Sequence, residues 1–449
     1  MTNRSGACNS SSINSTSFNV ETERKERQRH PWLWVPSLYF AEGVPYVIVM
    51  TMSVVMYRKL GVSKTDIGLY TSWLYLPWVI KPLWSPLVDM TGTKRGWIVA
   101  MQFFISAGLG LAALSVRGRG FFAGSLWMFL IMGFASATHD IAADGFYMLG
   151  LSAHEQSWWS GLRSAFYRVA MITGSGWLVM LAGMLEKKGD EARAWSVVLL
   201  TAAGLFLVFS VWHSVVLPHP AGDGPAPGGR SAAAGFMAAF QSFFQKPGVW
   251  MALAFMLTYR LDEAQLSNVL QPFLLDTRQA GGLGLETGAV GLAYGTIGVL
   301  ALTCGGLLGG FAAAKFGLKK ALPWLVCSMY LPKLVFVFLS FLQPRDFRVV
   351  CGAVAVEQFG YGLGFVAFML FLLYFSDGPH RTAHYAICTG FMALGMMIPG
   401  RWSGWLADQL GYKRFFLWVI CSAAPGLVIA LRLKVDPAFG RKPGPAVSG

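Results

Sequence analysis

Apolar and polar residues along this chain fall into long blocks, not into the short periods of a soluble helix or strand. Twelve blocks are mostly apolar over the ~20 residues that a helix needs to cross a bilayer. In the first half they cover about 32–56, 66–88, 97–116, 121–149, 158–185 and 194–217. In the second half they cover about 247–275, 287–310, 321–342, 348–375, 384–406 and 414–433. The polar blocks between them are mostly short, so neighbouring helices must run antiparallel. The pattern predicts an all-α polytopic membrane protein. Residues 1–31 are polar, rich in Ser and Asn, and lack the apolar core of a signal peptide. They read as a disordered cytoplasmic tail, with Asn9 and Asn14 left unglycosylated despite their Asn-x-Ser/Thr setting.

Between the sixth and seventh blocks, Pro218, Pro220, Pro225 and Pro227 are interspersed with Gly222, Gly224, Gly228 and Gly229. That density forbids a continuous helix and marks a linker. After it, Phe236, Met237, Phe240, Phe243 and Phe244 follow helical spacing, which predicts a short helix lying on the membrane surface. The halves on either side repeat landmarks in the same order. Glu42-Gly43, Asp66-Ile67-Gly68 and Lys94-Arg95 in the first correspond to Glu263-Ala264, Ala289-Val290-Gly291 and Lys319-Lys320 in the second. Six helices, a linker and six more, related as parallel repeats, is the outline of the major facilitator fold. The expected divisions are a tail at 1–31, six-helix bundles at 32–217 and 247–433, a linker with its surface helix at 218–246, and a second tail at 434–449.

Composition agrees with lipid as the solvent. Charged residues make up 13% of the chain, against roughly 25% in soluble domains. A soluble enzyme, a secreted disulfide scaffold and a disordered regulator are excluded. The net charge of +14 is scattered between apolar blocks, not gathered on one segment, so nucleic acid is not an expected partner. Basic residues are denser on the side of the tails, which predicts both termini in the cytoplasm. The cysteines show no paired spacing, and no metal-ligand spacing, phosphate-cradling loop or nucleophile–base pair is visible. No cofactor is expected, and a monomer is.

Ionisable groups inside a membrane are costly and mark function by default. Here the acids fall in a pattern: Glu42 in the first block, Asp140 and Asp144 in the fourth, Asp262 and Glu263 in the seventh, Glu357 in the tenth. These blocks open the four three-helix units of a twelve-helix repeat protein, where they would line a central cavity. A carboxylate whose access to water alternates can carry a proton, so these six are the expected proton-coupling groups, with the proton as coupling ion. Asp140 and Asp144 share one helical face. The competing reading is simple ion pairing with intramembrane bases such as Lys81, Arg168, Arg260, Lys333 and Arg401. Lys81, Arg168 and Arg260, with Tyr39, Tyr46, Trp73, Tyr147, Tyr167 and Tyr259 near the acids, are the expected solute contacts. Aromatic rings there could hold sugar rings or merely fill helix contacts. Other tryptophans, such as Trp32, Trp34 and Trp97, read as interfacial belts. Pro45, three residues after Glu42, marks either a broken helix lining a site or a packing kink.

Several of these segments resemble AmpG-type muropeptide permeases of the major facilitator superfamily. Tyr39 to Pro45 resembles the family's first helix; Ile67 to Tyr70, Lys81 to Asp89 and Lys94 to Trp97 resemble its second helix and the loop after it. His139 to Asp144 carries the family's Asp-x-x-x-Asp core, and Tyr167-Arg168 and Tyr259 to Ala264 also fit. The similarity runs from about residue 32 to about 430 and is densest in the first half. The resemblance implies proton-driven import of GlcNAc-anhydro-MurNAc peptides, or a related sugar-peptide, across a bacterial inner membrane for cell-wall recycling. It also implies that Asp89, Lys94 and Arg95 belong to the loop that gates alternating access. One departure stands out: the family commonly follows the second Asp with an aromatic, a base and an acid, where this chain reads Gly145 to Gly150. A permease or exporter for another amphiphilic solute (a drug, a siderophore, an acetyl-CoA-like molecule) is the alternative. A polytopic membrane enzyme should gather catalytic polar residues near one face, which this chain does not.

Overall fold

A computed structural model describes residues 30–151, 153–220, 222–224, 229–378, 381–436 and 439. The expectations for Asn9, Asn14 and most of both tails fall outside these residues. Each of the twelve apolar blocks is helical. We name them α1 (Pro31–Lys59), α2 (64–90), α3 (Lys94–Ser115), α4 (Phe121–Gly150), α5 (153–186) and α6 (Glu191–Val216). After the linker come α7 (249–275), α8 (Thr287–Phe316), α9 (Leu318–Leu342), α10 (Phe347–Ser376), α11 (381–410) and α12 (412–432). Among the described residues, nine stretches are long and apolar enough to span a bilayer as they stand. The last of these, Ala383–Arg432, contains both α11 and α12, because Gly411 at φ 68° turns the chain between them. Only glycine takes that backbone conformation cheaply.

The remaining two are α2, which is long enough but carries Lys64, Asp66, Lys81 and several Tyr, Trp and Pro residues, and α7, which is split into two shorter helices. In α2 the run Ser72–Tyr75 tightens into a 3-10 turn before Leu76–Met90. In α7 the helix stops at Thr258 and restarts at Leu261, with Arg260 at φ −113° as the flanking residue. The restart puts Asp262 and Glu263 in a first helical turn, where free N–H groups favour negative charge. Pro45 does not break α1: it sits inside Val35–Val47, and the turn after it widens to a π-helix over Ile48–Met52.

In the first half α3 packs against both α4 and α6, and α1 against α5; in the second, α8 and α9 pack against α10, and α7 against α11. Two cores fill each half, one of them built around Trp34, Tyr39, Phe146 and Tyr147. Trp34, expected in an interfacial belt, is 1% exposed because its ring meets Phe146 edge to face. The outer faces carry Trp127, Trp250, Leu307 and Trp324, exposed apolar side chains suited to lipid.

The halves meet along two lines, α2 against α11 and α5 against α8. In the second, Gly176 and Gly183 of α5 lie so close to Gly288, Gly291 and Gly295 of α8 that a methyl group at Gly295 would strike the Ser175 carbonyl. Small residues allow such backbone contact between membrane helices. The linker helix, Gly229–Phe244, is anchored to the second half at its C-terminal end. Phe243 is fully buried among Phe375, His384 and Phe391 of the second half.

Candidate functional site

The acids of α1 and α4 gather in one cluster. Asp140 Oδ2 accepts from Trp78 Nε1 at 3.2 Å and from Lys81 Nζ at 3.4 Å, both on α2. Asp144, one turn on, pairs with Arg163 of α5 at 2.7 Å. The Arg163 guanidinium lies 4.4 Å from the centre of the Tyr39 ring and 5.7 Å from that of Tyr147. Glu42 faces these charges: it interacts electrostatically with Asp144, Asp140, Arg163 and Lys81, while its Oε2 is buried without a hydrogen-bond partner. Three acids thus share two bases. Side chains here keep partial exposure, 26% for Lys81 and 40% for Asp144.

The second half holds its own cluster. Lys333 sits in a 3-10 turn, Leu331–Lys333, that interrupts α9 and delivers its amine into the bundle. It reaches Asp262 at 2.6 Å and Glu263 at 3.0 Å, and Lys333 and Asp262 are each 1% exposed. Glu357 of α10 interacts electrostatically with all three and accepts from Gln358 Nε2 at 2.8 Å. Its Oε1 has no partner.

Between the clusters lies a group of tyrosines and two arginines. Arg260 donates to the Tyr361 hydroxyl at 2.5 Å and interacts electrostatically with Tyr46 and Tyr75 of the first half. Tyr46 meets Trp78 edge to face at 5.2 Å. Tyr167 interacts with Tyr46, Asp140, Glu42 and Arg168. These contacts bring together Tyr39, Tyr46, Lys81, Tyr147, Tyr167, Arg168 and Arg260.

Two expected solute contacts lie elsewhere. The Tyr259 hydroxyl donates to the Gly364 carbonyl and its ring stacks on Phe368, deep in the second half's core. Trp73 is 42% exposed on an outer apolar surface with Tyr70, Leu126 and Trp127, where Arg401 stacks on it. Both misplacements have one cause. A break in helical register separates Tyr259 from Asp262, and Trp73 sits in the 3-10 turn, which presents Tyr75 inward instead. Lys94 and Arg95 bind the linker: their backbone N–H groups donate to Asp223, and the Arg95 guanidinium to the carbonyls of Leu217 and Ser214. The Asp89 side chain lies outside the described residues.

Arg163, Trp78, Tyr75 and Tyr361 were not singled out from sequence. For Tyr361 the available signal was its position four residues after Glu357, on the same helical face. His139 points away from the acids. Its Nε2 lies 2.9 Å from Gln102, which is 2.9 Å from His213, which is 2.9 Å from Ser37, a buried polar chain tying α4, α3, α6 and α1.

At the end of the bundle opposite the linker, charged contacts close the two halves together. Arg58 pairs with Asp276 at 2.5 Å, and Tyr412 donates to the same carboxylate at 2.7 Å. Lys64 pairs with Asp408 at 3.1 Å and Lys187 with Glu286 at 2.8 Å. Among the described residues, the ion pairs between halves all lie at this end.

No family model matches the chain. Single relatives do. It is 25% identical over 405 residues to the anhydromuropeptide permease of Escherichia coli (strain K12), covering 88% of this chain and 78% of that one. It is 24% identical over 430 residues to an AmpG-type transporter of Rickettsia conorii, covering 88% and 94%. Among solved structures, the nucleoside transporter NupG superposes with a TM-score of 0.67 at 16% identity, over 88% of this chain and 97% of that one. A D-xylose–proton symporter gives 0.67 at 14% identity, over 91% and 98%. The fold is that of the major facilitator transporters, and the likeness to AmpG-type permeases extends over nearly the whole chain. The relatives are permeases and transporters, not enzymes.

Proposed function

Proceeding from a multi-pass membrane transporter with the major facilitator fold, we propose that this chain is a proton-coupled importer of muropeptides or a related sugar-peptide. It works by alternating access in a bacterial inner membrane, with both termini cytoplasmic. The observation that carries the coupling is the cluster of Glu42, Asp140 and Asp144 around two bases. With all five groups ionised it holds one excess negative charge, and Glu42 keeps a carboxylate oxygen with no partner. A proton on this cluster cancels the excess, and its arrival or loss changes which helices the charges hold together. The solute occupies the tyrosine-lined region between Arg168 and Arg260, in contact with both halves. Closure at the end opposite the linker then corresponds to the state shut toward the outside. Charged hydrogen bonds such as Arg58–Asp276 hold that state, and must open in each cycle.

The substrate class rests on the likeness to a relative named for anhydromuropeptides. The departure after Asp144 favours, as a second reading, a sister permease for another amphiphilic solute: Tyr147 there lies in a ring contact with Tyr39, 5.7 Å between centroids, where the family commonly places charge. Uptake of labelled GlcNAc-anhydro-MurNAc peptide into proteoliposomes, with and without an inward proton gradient, separates the readings. Gradient-dependent accumulation is expected. Uptake indifferent to the gradient removes proton coupling, and absence of uptake removes the substrate.

A further inference from the structure

Cations in a low-dielectric bundle are costly unless an anion faces them, and three of the bases near the centre have one. Lys81 pairs with Asp140, Arg163 with Asp144, and Lys333 with Asp262 and Glu263, all within 3.4 Å. Arg168 and Arg260 form no ion pair with any described residue. Arg168 places Nη1 3.7 Å from the Met171 sulfur, and its electrostatic partners are Tyr167 and Tyr361. Arg260 donates Nη2 to the Tyr361 hydroxyl, while its Nε is buried without an acceptor. Glu263 is in electrostatic range of Arg260 but already holds Lys333 at 3.0 Å. Arg401 also lacks an acid, but it stacks between Trp73 and Trp402 toward the outer surface.

Two uncompensated guanidiniums therefore face the same tyrosine from different halves: Arg260 of α7 is hydrogen-bonded to the Tyr361 hydroxyl, and Arg168 of α5 is within electrostatic range of it. We propose that Arg168 and Arg260 form a two-sided clamp for a carboxylate on the transported solute, with Tyr361 between them. This deepens the proposed function and rests on its placement of the solute between the halves. Planar guanidinium forks match carboxylate geometry, and a carboxylate supplies the acceptor that Arg260 Nε lacks. Because the two forks belong to different halves, the anion is held in full only when the halves are close. Solute charge thereby favours closure, and a neutral analogue of the same size lacks that effect.

The test is binding to the purified full-length protein, read by intrinsic tryptophan fluorescence, with no proton gradient present. The probes are muramyl dipeptide, its methyl ester, and N-acetylglucosamine 6-phosphate. The acid should bind at least tenfold more tightly than the ester, and more tightly than the phosphate. In Arg168→Gln and in Arg260→Gln the acid should weaken to the level of the ester, with the ester unchanged; Arg260→Lys should recover part of the preference. Thermal unfolding of each variant without probe separates loss of the clamp from loss of the fold. Equal binding of acid and ester overturns the proposal, as does an acid preference that survives both glutamine variants, a preference for the phosphate, or binding of none of the three. Acid-selective binding combined with gradient-independent uptake leaves the clamp standing and removes proton coupling alone.

Discussion

In the first half, Asp144 and Arg163 keep 40% and 35% of their side-chain exposure, whereas Asp262 and Lys333 in the second half keep 1% each. Both clusters contain three acids from the first and fourth helices of their half, joined in the first half by two bases, Lys81 and Arg163, and in the second by one, Lys333. They differ in the medium around them. Partly exposed carboxylates can exchange protons with water without unpacking the bundle. The sealed pair of Asp262 and Lys333 must first be opened, and breaking such a pair by removing one partner is costly. The repeat thus carries the same residue types to two different ends: a cluster that can respond to its surroundings and one that holds α7 against α9.

The largest effect that tests this contrast is on transport. Asp144→Asn should lower gradient-driven uptake at least 100-fold while leaving solute binding and thermal stability near those of the parent. Uptake measured alongside equilibrium binding decides it, and a loss of both together breaks the comparison. Next in size, Lys333→Met should destabilise the protein by about 3–5 kcal/mol, because Asp262 and Glu263 are left buried without their cation. Unfolding in detergent followed by circular dichroism reads this. Adding Asp262→Asn should recover part of the loss, and an unchanged melting point in the single variant would show the second cluster is not the sealed strut described. The smallest effect should come from Trp78→Phe, which removes one donor from Asp140 and keeps the ring against Tyr46. Uptake should fall several-fold, less than the full loss of a hydrogen bond to a charged group, about 1.5–3 kcal/mol, would give, because Lys81 still holds Asp140.

Much of this was legible in the sequence because lipid imposes so simple a rule. Apolar blocks long enough to cross a bilayer located twelve helices, and the Pro/Gly segment divided them. The acids stood out for the same reason: few charged residues occur inside the blocks, so each is conspicuous. What the sequence did not disclose was partnership. Arg163 lies in the third turn of the helix that begins at Ala153, and nothing in its own neighbourhood indicates that Asp144 of α4 is its partner. Lys333 was visible as a base, but its pairing with two adjacent acids depends on the turn at Leu331–Lys333. Tyr259 and Trp73 were assigned by proximity along the chain, a guide that holds only while the helix is continuous. Both lie at interruptions, and there the face a residue presents is set by tertiary packing.

The glycine contact between α5 and α8 has a mechanical consequence. Most helix pairs interlock through side chains, so that sliding one past the other means lifting every knob out of its hole. At Gly176, Gly183, Gly288, Gly291 and Gly295 the helices meet largely backbone against backbone, with only Thr296 and Met180 adding side-chain atoms. Such a surface can roll with little resistance while staying in contact, much as a smooth bearing does, and the π-turns on both helices, Ile172–Trp177 and Gly291–Gly298, lie at that point. The α2–α11 line has the same character, with Gly404 of α11 against the main chain at Lys64 and Gly390 against the Val79 carbonyl, so the halves can rock along two seams where their main chains touch.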